Sequence, residues 1–130
     1  MESIKYPMFS LDYDKWDLFI AVELIWDRGN YINKIDDFYY NHILNKRFVD
    51  SNGSIFVAIG IEDTWVRSFY FFKKKVSRVL FEKTNMTIGF NDLKQSLLKK
   101  ATSIEDLDAR AIVKEQMMKA ESYEDLIYSI

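Results

Sequence analysis

Apolar residues recur at steps of three and four through much of the chain, and that spacing predicts helices. In residues 14–27, Trp16, Phe19, Ile20 and Leu24 share one helical stripe, widened by Val22, Ile25 and Trp26. Asp12 and Asp14 stand near its start, where the helix dipole favours acids, and Gly29 follows as a stop. A second helix is expected from Lys34 to about Phe48, capped by Asn33, with Ile35, Phe38, Tyr39, His42 and Ile43 on one face. Asp36 and Asp37 fall in its first turn, Lys46 and Arg47 in its last. Asp50, Ser51, Asn52, Gly53 and Ser54 then read as a turn.

The apolar run 55–61 is too short for periodicity to separate a buried strand from a buried helical turn, and its best strand partner, 86–90, is weak. Across 63–83, Trp65, Phe69, Phe72, Val76 and Val79 recur at steps of 4, 3, 4 and 3. A strand would push the consecutive Lys73, Lys74 and Lys75 onto both faces of a sheet, whereas a helix gathers them on one polar arc. A long amphipathic helix capped by Asp63 or Thr64 is therefore expected. Another runs from an Asn91 cap to Lys100, with Phe90 stapled back onto it. The pattern K-A-x-S-x-E-D-L occurs at 100–107 and again at 119–126. It predicts two helix starts capped by Ser103 and Ser122, with Asp106 and Asp125 returning the bond. With only four glycines and one proline, the chain lacks the turn signals of a sandwich or barrel. The expectation is a mainly α single domain over 1–130, a bundle of five to six helices. The alternative is α+β with a short antiparallel hairpin at 55–72.

Composition adds exclusions. The 130 residues are 48% hydrophobic and 16% aromatic, enough apolar surface to offset chain entropy. The absence of cysteine excludes a disulfide scaffold, a thiol nucleophile and every Cys-based zinc or iron–sulfur site. No basic-then-apolar leader and no apolar run of about 20 residues is present, so a soluble, cytoplasmic protein with no membrane contact is expected. The net charge of −2 hides a partition: −5 over residues 1–65, +7 over 66–100 and −4 over 101–130.

Candidate chemistry is sparse. His42 is the one histidine, and its helical neighbours Phe38, Tyr39, Asn45 and Lys46 include no carboxylate to orient it, so it reads as structural. Asp12, Asp14 and Asp17 lack the glycine and terminal glutamate of a calcium loop. Gly53 and Gly60 lack the spacing of a phosphate-binding loop. Adjacent acids such as Asp36 and Asp37 diverge by about 100° on a helix and suit caps, not a shared acid–base site. No catalytic residue, metal or cofactor is expected, and the chain is read as non-enzymatic.

The acidic half offers more. Asp14, Asp17, Asp27, Asp36 and Asp37 lie among Tyr31, Tyr40 and other aromatics, a mixture suited to binding a basic protein. Small cytoplasmic proteins that neutralise toxic nucleases share this profile. The leading expectation is a protein-binding module that masks a basic partner, immunity-protein-like, for example against a nuclease toxin. The alternative is a nucleic-acid-associated regulator acting through Arg67, Lys73, Lys74, Lys75, Arg78 and Lys83. It ranks second because a helix would turn the neighbouring rings inward and leave charge alone to bind.

Overall fold

The stretch expected to coil into one rod is pleated. The computed structural model describes residues 3–32, 36–67 and 73–130. Its elements in order are β1 (Met8–Ser10), α1 (Leu18–Glu23), β2 (Ile25–Trp26), β3 (Tyr31–Ile32), α2 (Asp37–His42), β4 (Arg47–Val49), β5 (Ser54–Arg67), β6 (Lys73–Thr87), α3 (Phe90–Ala101), α4 (Leu107–Lys119) and α5 (Tyr123–Tyr128). The strands form one curled antiparallel sheet in the order β2-β1-β4-β5-β6-β3. The protein is thus α+β, not a helical bundle. The alternative had the class but not the extent, since the hairpin spans 54–87 rather than 55–72.

Two physical facts overturn the long helix. First, 54–67 is dense in β-branched and aromatic residues, and its strand partner is 73–87, which the helical reading had set aside. Second, consecutive lysines are disfavoured in a strand only where both sheet faces are covered. Phe56, Ala58 and Val79 are fully buried and Phe81 packs against the core, but Lys73, Lys74 and Lys75 lie at the far end of the hairpin. Phe69 and Phe72, expected on the inward face of the helix, lie outside the described residues. A bulge at Ile59 shifts the register between Ala58↔Phe81 and Gly60↔Leu80.

The two N-terminal helices are shorter than expected, because strands take their ends. The first covers only Leu18–Glu23, with Asp17 as N-cap accepting from the Phe19 N–H at 2.9 Å. Its Phe19 is 87% exposed, while Ile25 leaves the predicted stripe to pair with Phe9 of β1. The second covers Asp37–His42 and is capped by Asp36, and its predicted C-terminal turn is strand β4. The proposed Asn33 cap lies outside the described residues. The 50–54 turn is present: the buried Asp50 carboxylate accepts from the Asn52 and Ser54 N–H groups at 2.9 and 3.0 Å and from the Lys5 N–H at 3.1 Å.

Three C-terminal helices exist as expected, but α3 and α4 begin on other caps, and α4 starts at Leu107, about one turn later than a Ser103 cap implies. α3 starts behind Gly89, which makes no side-chain cap bond, rather than on Asn91. α4 is capped by Asp106, which accepts from the Ala109 N–H at 3.0 Å. Ser103 instead accepts from the Trp16 N–H at 2.7 Å and ties the N-terminal segment to the helices. α5 does start on Ser122, whose hydroxyl accepts from the Asp125 N–H at 3.1 Å. Leu93, Leu97, Met117 and Leu126 from these helices join Phe9, Phe48 and Phe56 from the sheet in one fully buried cluster. No helix of the described residues is long and apolar enough to cross a membrane.

Candidate functional site: an acidic and aromatic cleft

Strands β2 and β3 are opposite edges of the sheet, yet only residues 27–30 join them in the chain. At about 3.8 Å per step the connection from Trp26 to Tyr31 reaches at most roughly 19 Å. A flat six-stranded sheet would set its edges roughly 24 Å apart. The connection therefore holds the sheet in its curl, and the seam between the two edges is a cleft of about 380 Å³. The end of α1 and β2 supply Glu23, Ile25 and Trp26 to its wall, and the connection supplies Asp27 and Gly29. β3 adds Tyr31 and Ile32, and the start of α2 adds Asp36, Phe38, Tyr39 and Ile43.

Three carboxylates, Glu23, Asp27 and Asp36, thus rim a cavity walled by aromatic rings, and no Lys or Arg among the described residues lines it. Asp36 is held by its capping bond from the Phe38 N–H at 3.1 Å. Partial burial and then a hydrogen bond to Asp27 raise the Tyr128 hydroxyl above its usual pKa. The Tyr39 hydroxyl is raised too, by burial first and Tyr40 second. Trp26 forms the floor, 6% exposed, edge-on to Phe48 at 6.0 Å and Phe81 at 5.5 Å. Its indole Nε1 is buried with no acceptor among the described residues.

Of the residues singled out for a basic partner, Asp27, Tyr31 and Asp36 meet in this cleft. Asp37 and Tyr40 follow on α2; Tyr40 is 59% exposed and edge-on to Tyr39 at 5.2 Å. Asp14 and Asp17 are elsewhere: Asp14 pairs with Lys100 at 2.9 Å and Asp17 caps α1. Glu23 is not singled out by the sequence, and Phe38 is placed there only on the apolar face of a helix, though both line the cleft. Glu23 sits one residue before the α1 C-cap, a position that turns toward the seam only because the chain leaves the helix for β2. No local pattern announces that exit. Asp12, also acidic, is spent on Arg47, which donates from Nε and Nη2 at 3.0 and 2.8 Å. Burial pushes the Asp12 carboxyl up, but the bonds and charge of Arg47 outweigh it and hold the pKa below the ordinary value. His42 packs edge-on to Tyr13 at 5.6 Å and against Phe38 at 5.1 Å.

The six cations named for nucleic acid do not form one site. Arg67, Lys73, Lys74 and Lys75 share the end of the hairpin. Arg78 is paired to Glu62. Lys83 stands opposite Phe56 near the core, roughly 30 Å along the strand from Lys73. No family model matches the chain, and no curated protein or solved structure matches it.

Proposed function

We propose that this chain is a non-enzymatic binding module that receives a basic segment of a protein partner in the acidic and aromatic cleft, as an immunity protein masks a toxin such as a nuclease. The carrying observation is the meeting of Glu23, Asp27 and Asp36 around walls of Tyr31, Phe38 and Tyr39. An arginine or lysine head entering the cleft meets carboxylates at the rim and ring faces along its stem, the two attractions that a desolvated cation needs. The volume falls within the range of pockets that hold small groups, about 300–1,000 Å³. Tyr40 and Asp37 extend the surface outward, as anchors and steering charge around a central pocket. The cytoplasm, expected from the sequence, belongs to this proposal.

The test uses an arginine-rich peptide and, in parallel, the basic protein that co-purifies from native cells. Glu23→Gln with Asp27→Asn should weaken both by tenfold or more, about 1.4 kcal/mol or above. Alanine at Asp36, Asp37 and Tyr40 should do the same to the native partner. Unchanged affinity in both sets of variants contradicts the reading.

A further inference from the structure

We propose that the end of the β5–β6 hairpin binds single-stranded nucleic acid, with Trp65 stacking on a base and the surrounding cations holding the phosphates. The site is separate from the cleft and does not rest on it. Strand β4 stops pairing with β5 at Val57, and its last backbone bonds reach Ala58. Among the described residues, strand β3 pairs with β6 at Ser77 and Arg78. The last four pairs, Thr64↔Val76, Trp65↔Lys75, Val66↔Lys74 and Arg67↔Lys73, are therefore flanked by neither strand among the described residues. Among the described residues they form a two-stranded arm.

Charge is concentrated on this arm. Arg67, Lys73, Lys74 and Lys75 occupy its last three pairs. Neighbours across a ladder are about 5 Å apart and successive residues about 3.4 Å, so the four α-carbons lie within roughly 9 Å. That is inside one Debye length at 0.1 M salt, about 10 Å. Like charges directly opposite, as Arg67 and Lys73 are, oppose pairing. From Glu62 to Arg78 the described residues hold five cations and two acids, and one of those acids, Glu62, is engaged with Arg78. A surplus of three cations stays on the ribbon. A polyanion relieves it and releases counterions in doing so.

Trp65 adds what charge alone lacks. Its side chain is 64% exposed and its register partner is Lys75. An open indole whose register partner is a lysine can offer a ring face to a base, and a phosphate answers the charge of the ribbon. Stacking of this kind needs a base out of its own stack, so the arm fits a single strand better than a duplex.

The experiment is fluorescence anisotropy of the full chain with labelled oligo-dT and oligo-U of about twenty nucleotides, long enough for one site of about 4–16 nucleotides. With three phosphates neutralised, the slope of log affinity against log salt should be about −2, so that going from about 50 to about 200 mM weakens binding roughly 15-fold. Lys73→Ala, Lys74→Ala and Lys75→Ala together should flatten that slope. Trp65→Ala should weaken binding at least about fivefold with the slope unchanged, and Trp65→Phe should recover most of the loss. Glu23→Gln with Asp27→Asn should leave it unchanged. Comparing dT with U separates DNA from RNA as the preferred strand. Equal binding of a duplex, of polyglutamate or of phosphatidylserine vesicles, or indifference to Trp65→Ala, overturns the proposal. So does the absence of binding at low salt, which would leave the lysines only the task of keeping an open sheet edge from pairing with other chains.

Discussion

The cleft and the arm belong to the same sheet and carry opposite charge by opposite means. In the cleft, each acid is fixed by the element that ends or begins there: Glu23 at the end of α1, Asp27 in the connection and Asp36 at the cap of α2. The aromatic rings behind them are buried, Trp26 at 6% and Tyr39 at 3% exposure. On the arm the cations follow one another in register, and the ring beside them, Trp65, is open to solvent. A pocket made by the convergence of short elements selects the shape of what enters. A ribbon made of register alone presents a linear array and selects length and charge.

One buried ring joins the floor of the cleft to the body of the hairpin that carries the arm, and removing it should give the largest effect. Phe48 is fully buried between the cleft residue Trp26 and the hairpin residue Phe81, at ring distances of 6.0 and 5.3 Å. Phe48→Ala should cost about 3–5 kcal/mol in chemical denaturation and weaken both sites together. Loss of one site with the other intact would show that the two do not share a core. Next in size is the root of the hairpin. Gly53 has φ +79°, and a Cβ there would meet the Ile88 carbonyl and the Tyr123 hydroxyl, each at 2.6 Å. Gly53→Ala should destabilise by roughly 2–4 kcal/mol. Gly60→Ala, farther out where a Cβ meets nothing, should stay within about 0.5 kcal/mol.

A smaller effect separates spent acids from available ones. Asp12 is committed to Arg47, and its pKa lies below the ordinary carboxylate value. Its stabilisation is therefore complete above about pH 4 and vanishes as pH falls through the lower, folded value. Asp12→Asn should cost about 1 kcal/mol at pH 7, discounted for the half-exposed Arg47, and should lose less on acidification than the native chain. An identical pH dependence in the variant would remove Asp12 from the account. A comparable effect belongs to the cleft rim: Asp36→Ala should cost about 1 kcal/mol through the lost cap, and Asp36→Ser only a few tenths. A partner that still binds Asp36→Ser at full strength would leave only the capping role of Asp36.

Local chemistry was legible in the sequence, and pairing was not. The 50–54 turn, the positions of the three C-terminal helices and the Ser122 cap are set by residues within a few positions of one another. The sheet is set by contacts across the chain: Met8↔Trp26, Phe9↔Val49 and Tyr31↔Arg78 join segments that, β6 apart, are two or three residues long. Trp65, Val76 and Val79 kept a helical spacing that their strand pairing overrides. Half of the cleft was visible as acids among aromatics, because Asp27, Tyr31 and Asp36 lie close in sequence. Its closure by Glu23 and Phe38 depends on the sheet curling, which no periodicity carries.

The chain has three tryptophans, one in the cleft, one on the arm and one, Trp16, buried against Phe9. Their indole N–H signals in a proton–nitrogen correlation spectrum report on the two regions separately. Titration with an arginine-rich peptide should shift the Trp26 signal and leave Trp65 in place. Movement of Trp65 with Trp26 unmoved would contradict the assignment of the cleft as the receptor for basic groups.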